Sequence, residues 1–168
     1  MSLSGTQFQQ SIESTVRLRE YFSQIVPQVG QIWLEIRYII CAVAALHRRI
    51  KYGDQPGQQN LGTVFLRYES KAIHLLSILK DTSTFEVILL ACPIIALCEL
   101  MQHNFENTIR HLQSGLKILQ QAQQAQSIQS PTYRLLNDYF RIILPVLLDD
   151  AERAFALWCE QSPCSYSS

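Results

Sequence analysis

What this chain lacks narrows it before anything it contains. Among its 168 residues neither charge is in surplus, with 14 Lys and Arg against 14 Asp and Glu. No global field therefore draws it toward nucleic acid or an anionic membrane. DNA binding would need a local patch. The one dense basic cluster, His47, Arg48, Arg49 and Lys51, fits the C-terminus of a helix, where positive charge is favoured. The five cysteines, Cys41, Cys92, Cys98, Cys159 and Cys164, show no zinc-site spacing. Cys92 and Cys98 are too far round a helix to share a face, and both are expected as buried, reduced, small apolar side chains. No phosphate-cradling glycine loop and no Ser/His/Asp arrangement is recognisable, so no metal, no cofactor and no reaction is assigned. The opening MSLSGTQFQQ lacks the basic and apolar regions of a secretory leader, which points to a reducing, intracellular setting. The apolar run 87–101 is short for a bilayer and carries Glu99, so it reads as a core helix with no membrane role. Strand-like alternation is missing throughout.

What remains is a chain that is 48% hydrophobic, enough at this length for a core without metal or disulfide support. The expected fold is all-α, a single compact array of about six helices with two apolar inner helices. It occupies one domain, residues 1–160, followed by a loosely held serine-rich tail, 161–168.

The organising stretch is 84–120. Its first half, 85–101, is apolar almost without interruption, and a helix apolar on all sides has to be buried on all sides. Leu97 is expected within that core. Pro93 predicts a kink, and Ser83 with Glu86 three residues on forms a capping-box pattern. The second half, from Asn104, sets Phe105, Ile109, Leu112, Leu116 and Leu119 on one face, with Gly115 allowing close packing. Upstream, a helix over 6–25 carries Phe8, Ile12, Val16, Leu18, Phe22 and Ile25, and Pro27 and Gly30 are expected to end it. A second helix, 31–51, becomes the other inner one through YIICAVAAL. A loop with Gly53, Pro56 and Gly57 follows, then a helix over 61–80. Downstream, the glutamine tract 120–126 reads as a helix end, and Ser130 with Pro131 opens a last helix to about 158, with a second kink at Pro145.

Few polar residues stand where chemistry would need them. Glu99 lies in apolar surroundings, where an ionised carboxylate needs a partner. His103 is spaced to meet it at i, i+4, a pair read as structural in the first instance. His111 could face the same region, while His47 and His74 read as surface residues. Asp149, Asp150 and Glu152 resemble part of the aspartate-rich metal motif of terpene synthases. Arg153, however, occupies the place of its last acid, and a solvated acidic face is expected.

Three stretches, RYIICAVAALHRR, FLRYESKAIHLL and TFEVILLACPIIALCELMQHNFENTIRHLQSGLKILQQ, together resemble the helical regulatory region of fungal zinc binuclear-cluster transcription factors, the fungal-specific transcription factor domain. The likeness spans 36–121. Its most informative part joins the apolar helix, Glu99, a short turn with Asn104, and His111, Leu112, Ser114, Gly115 and Leu116. The six-cysteine zinc cluster and coiled coil of those factors are missing from this sequence, so no DNA-binding residue carries over. The resemblance implies a regulatory or interaction module, nuclear in setting, with a protein partner; exposed edges of the array could also form a homodimer. The alternative is a cytoplasmic binding protein or enzyme of fungal secondary metabolism that reuses the scaffold for a small apolar molecule. Its pocket would lie between the inner helices, lined by Trp33, Tyr38, Tyr68 and Tyr139, with Arg37, Glu99, His103 or His111 converging on it.

Overall fold

The computed structural model describes residues 15–53, 60–78, 84–124 and 131–161. They form six helices and no strand. The first, α1, is a continuous helical stretch over 15–32 that passes through a π-helical turn (Tyr21–Ile25) into an α-helical segment (Val26–Ile32). It is followed by α2 (Leu34–Tyr52), α3 (Leu61–Ile78), α4 (Thr84–Met101), α5 (Phe105–Gln124) and α6 (Pro131–Gln161). Phe8, Ile12, Pro56, Gly57, Ser83, Ala125, Gln126, Ser130, Cys164 and the rest of the tail lie outside the described residues, and with them the N-cap of α4 and most of the loop after α2.

Most of α4 is enclosed, as its composition requires, although Phe85 is 38% exposed. Val87, Leu89, Leu90, Ala91, Cys92, Ile94, Ala96 and Cys98 are all buried, and the helix packs on α2, α5 and α6, with α3 touching it lightly. Glu86 is its third residue and is buried, a carboxylate in a first turn where the helix dipole favours one. Pro93 lies inside the helix and withholds the N–H that would serve the carbonyl one turn back. Beside that gap, the buried Tyr21 hydroxyl of α1 donates to the Leu90 carbonyl at 2.5 Å, which satisfies a polar tip taken deep into the core. Tyr21 also meets Phe140 of α6 edge to face, 5.8 Å between ring centres. Ile143 and Leu144 complete that layer.

The other inner helix, α2, buries Ile36, Ile39, Ala42, Ala45 and Leu46. The last three join Phe65 of α3 and Cys98 of α4 in a second cluster. The basic residues close α2 as expected, with Arg49 and Lys51 in its last turn. Cys92 and Cys98 are buried free thiols, and burial pushes both up to about 12, so neither is a nucleophile at neutral pH.

Two expectations change. Pro27 and Gly30 do not end α1, which continues to Ile32. The π-turn explains the proline: the Val26 N–H reaches back to the Tyr21 carbonyl, one residue further than in an α-helix. That widening makes room where a proline ring would crowd the preceding turn. Gly30 is instead a packing residue, since a Cβ there would come within 2.6 Å of Ile40 Cδ1. The break falls at Trp33, whose backbone is extended, and α2 starts after it. Leu97 is half-buried, on the wall of a cleft described below. Gly115 does permit close packing, because a Cβ on it would sit 3.2 Å from that of Cys92. Among the described residues no helix is long and apolar enough to cross a membrane.

Candidate functional site

The residues singled out from the sequence fall into four separate places. Trp33 sits at the α1–α2 junction, half-buried against the core. Arg37 serves that junction, its guanidinium donating from Nε to the Gly30 carbonyl at 2.9 Å and from NH2 to the Gln31 carbonyl at 2.8 Å. These are end-of-helix carbonyls with no partner of their own. Tyr38 of α2 and Tyr68 of α3 form a pair, 5.9 Å between rings, with Lys71 Nζ 5.3 Å from the centre of the Tyr38 ring. Tyr139 of α6 lies apart, donating to Glu20 Oε2 at 3.0 Å under the Arg17 guanidinium. These aromatics thus take part in three separate sets of contacts.

The fourth place is the α4–α5 turn. Here α4 ends at Met101, and His103 takes a positive φ of 59°, the left-handed conformation that terminates many helices. The helix thus stops before His103 can reach the turn above Glu99, and its ring stands 6.2 Å from that of Phe105. Glu99 is held otherwise. Asn104 Nδ2 donates to its Oε2 at 2.7 Å, and the Asn104 N–H donates to its backbone carbonyl at 2.9 Å. Across from it, His111 Nε2 lies 4.0 Å from Glu99 Oε1, beyond hydrogen-bond range. Burial, opposed by Glu99 and assisted by Arg110, lowers the His111 pKa below its ordinary 6.5, so the imidazole is neutral at neutral pH.

A further residue belongs here that the sequence reading passed over. Glu69 of α3 is half-buried, and its carboxyl is pushed up by burial first and by the charge of Glu99 second. The signal was present in FLRYESKAIHLL, where Glu69 occupies the stripe between Phe65 and Ala72, both buried, at positions a helix brings together. Glu69, Glu99 and His111 thus come from three helices to one seam. They form no metal centre: among the described residues no group of three or more His, Cys, Asp and Glu could hold an ion.

The cleft lies elsewhere, between α1, α4, α5 and α6. Its volume is about 170 Å³. Phe22, Leu97, Leu100, Leu112 and Leu147 make its walls, and Thr108 and Asp150 bring it polar atoms. Both polar groups are engaged. Thr108 Oγ1 donates to the Asn104 carbonyl at 2.9 Å, and Asp150 Oδ1 accepts from Arg153 at 2.6 Å. Arg153 also reaches Asp149 at 2.8 Å, so the acidic run is an exposed ion-pair cluster, as expected of a solvated face. A space near 150 Å³ admits a benzene-sized molecule, below the 300–1,000 Å³ of most ligand pockets. None of Trp33, Arg37, Tyr38, Tyr68, Glu99, His103, His111 or Tyr139 lines it.

No protein-family model, no curated protein and no solved structure matches this chain.

Proposed function

We propose that this chain is a regulatory or interaction module of the kind found in the middle and C-terminal region of fungal zinc-cluster transcription factors, with no DNA-binding activity of its own. One observation carries the reading. The central layer of the core is fully enclosed, with Tyr21, Ile36, Leu89, Leu90, Phe140, Ile143 and Leu144 all at 0% exposure, while large apolar side chains stand out on the outer helices, Leu66 at 58% and Ile73 at 53% among them. Those two lie two turns apart on one face of α3, and apolar side chains gathered on a surface are how a protein meets another protein. The test is to tether the full chain to a heterologous DNA-binding domain in a fungal cell. A several-fold change in reporter output over the DNA-binding domain alone is expected; unchanged output rejects the reading. In a salt titration the free chain should show no sequence-selective DNA affinity.

The cleft supports a second reading, a binding protein or enzyme of fungal secondary metabolism that takes a small apolar molecule. Indole is a suitable probe. Saturable methyl shifts at Leu97, Leu112 and Leu147, lost in Leu97→Phe, would favour it; flat titrations would remove it.

A further inference from the structure

α4 is apolar all round, yet its neighbours cover it unevenly. Cys98 faces α2 and α3, Cys92 meets Gly115 of α5, and Leu90 takes the Tyr21 hydroxyl of α1. One line of its surface is only partly covered: Ile88, Ile95, which also packs against the main core, and Glu99, whose side chain is 16% exposed, lie seven and then four residues apart. That spacing is one stripe along three turns, about 16 Å. The stripe opens between α5, whose His111 stands 4.0 Å from Glu99, and α3, which packs on α2 and only lightly on α4. On the α3 side Ile73 is 53% exposed, and Glu69 faces Glu99. The result is a furrow with an apolar floor and two carboxylates toward one end.

Asn104 donates to Glu99 at that end, but no cation among the described residues offsets the charge. Among the described residues no Lys or Arg stands within ion-pair distance of Glu69 or Glu99, and His111 is neutral at neutral pH. Nearby cations are engaged elsewhere, with Arg110 NH1 donating to Asn107 Oδ1 at 3.1 Å and Lys71 over the Tyr38 ring. Two partly buried carboxylates without a cation are costly, and a cation delivered between them relieves that cost. An apolar line at helical spacing is the complement of an amphipathic helix, which seats anchors at i, i+4 and i+7.

On the interaction-module reading, from which this step follows, we propose that the furrow between α3 and α5 receives an amphipathic helix of a protein partner, its apolar face on Ile88 and Ile95 and a Lys or Arg side chain set between Glu69 and Glu99.

The probe is a fluorescein-labelled helical peptide of about four turns, with leucines at i, i+4 and i+7 and one lysine a turn beyond, compared with its Lys→Glu twin by anisotropy on the full chain. The lysine peptide should bind at least about 10-fold tighter than the twin. In the Glu69→Gln, Glu99→Gln double variant the two should agree within about two-fold, and Ile95→Asp should weaken both. Circular dichroism checks that each variant is folded. Equal affinities for the two peptides, no binding up to about 1 mM, or indifference to the variants would overturn the assignment. So would self-association in sedimentation that Ile95→Asp abolishes, because a second copy would then fill the furrow. Should the tethered chain still move the reporter while both peptides fail, the furrow assignment falls alone; a silent reporter with no peptide binding removes the module reading too.

Discussion

The side of α4 turned toward α1 and α6 and the side that opens between α3 and α5 are built from the same kinds of residue, yet they meet different surroundings. On the first, Leu90 is at 0% exposure and its carbonyl is bonded by a tyrosine from α1. On the second, Ile88 and Ile95 are partly buried and the line ends at Glu99. Toward α1 and α6 the enclosed part around Leu90 holds the fold together, while Leu97 and Leu100 further along are partly buried and line the cleft. Toward α3 and α5 the partly covered apolar line and the carboxylates of Glu69 and Glu99 are what the proposed partner would engage.

Substitutions can break or sharpen that contrast. The largest effect should come from Leu90→Ala, which empties a fully enclosed site and should cost about 2–5 kcal/mol, read as a lower denaturation midpoint at unchanged slope. Tyr21→Phe should follow at about 0.5–1.5 kcal/mol, the net worth of one hydrogen bond, because the Leu90 carbonyl keeps its place in the helical ladder. On the open side Ile95→Ala should cost only about 1 kcal/mol, roughly half the burial value of a fully enclosed isoleucine. If Ile95→Ala matched Leu90→Ala, the two sides would be alike and the furrow would be core.

The smallest effect should be a gain. Glu69 has its carboxyl raised in the folded chain, so the folded state holds that proton more tightly than the unfolded one. Its contribution is fully present below the ordinary value of 4.5 and is lost as pH rises through the folded value. At neutral pH, where Glu69 is ionised beside Glu99, Glu69→Gln should therefore stabilise, by less than about 1 kcal/mol. The gain should vanish below pH 4.5, and thermal melts at the two pH values check the sign. His111 runs the other way. With its pKa lowered, the stability it contributes is present above its ordinary value of 6.5 and declines as pH falls through that value toward the folded one.

The helices were legible in the sequence because hydrophobic period is a local property. α4 and α5 could be read from 84–120 alone, and so could the burial of Cys92 and Cys98 and the packing role of Gly115. The end of α1 was misplaced because Pro27 is a breaker by local rules, and a π-turn that seats it is not written in any short pattern. The candidate site was the least legible part. Arg37 looked like a ligand group and caps a helix; His103 looked like the partner of Glu99 and belongs to the turn. The four aromatics expected around one pocket make three separate sets of contacts.

The sequence by itself determined that the chain is helical, that α4 lies inside, and that its few buried thiols are inert, because each follows from residue type and spacing along one helix. Only the tertiary structure decided which residues share a seam. Glu69 and Glu99 are thirty residues apart in the chain, and helix packing brings the charge of Glu99 to bear on Glu69. The stripe left open on α4 depends on how lightly α3 rests against it, a matter of helix placement that no period in the sequence records.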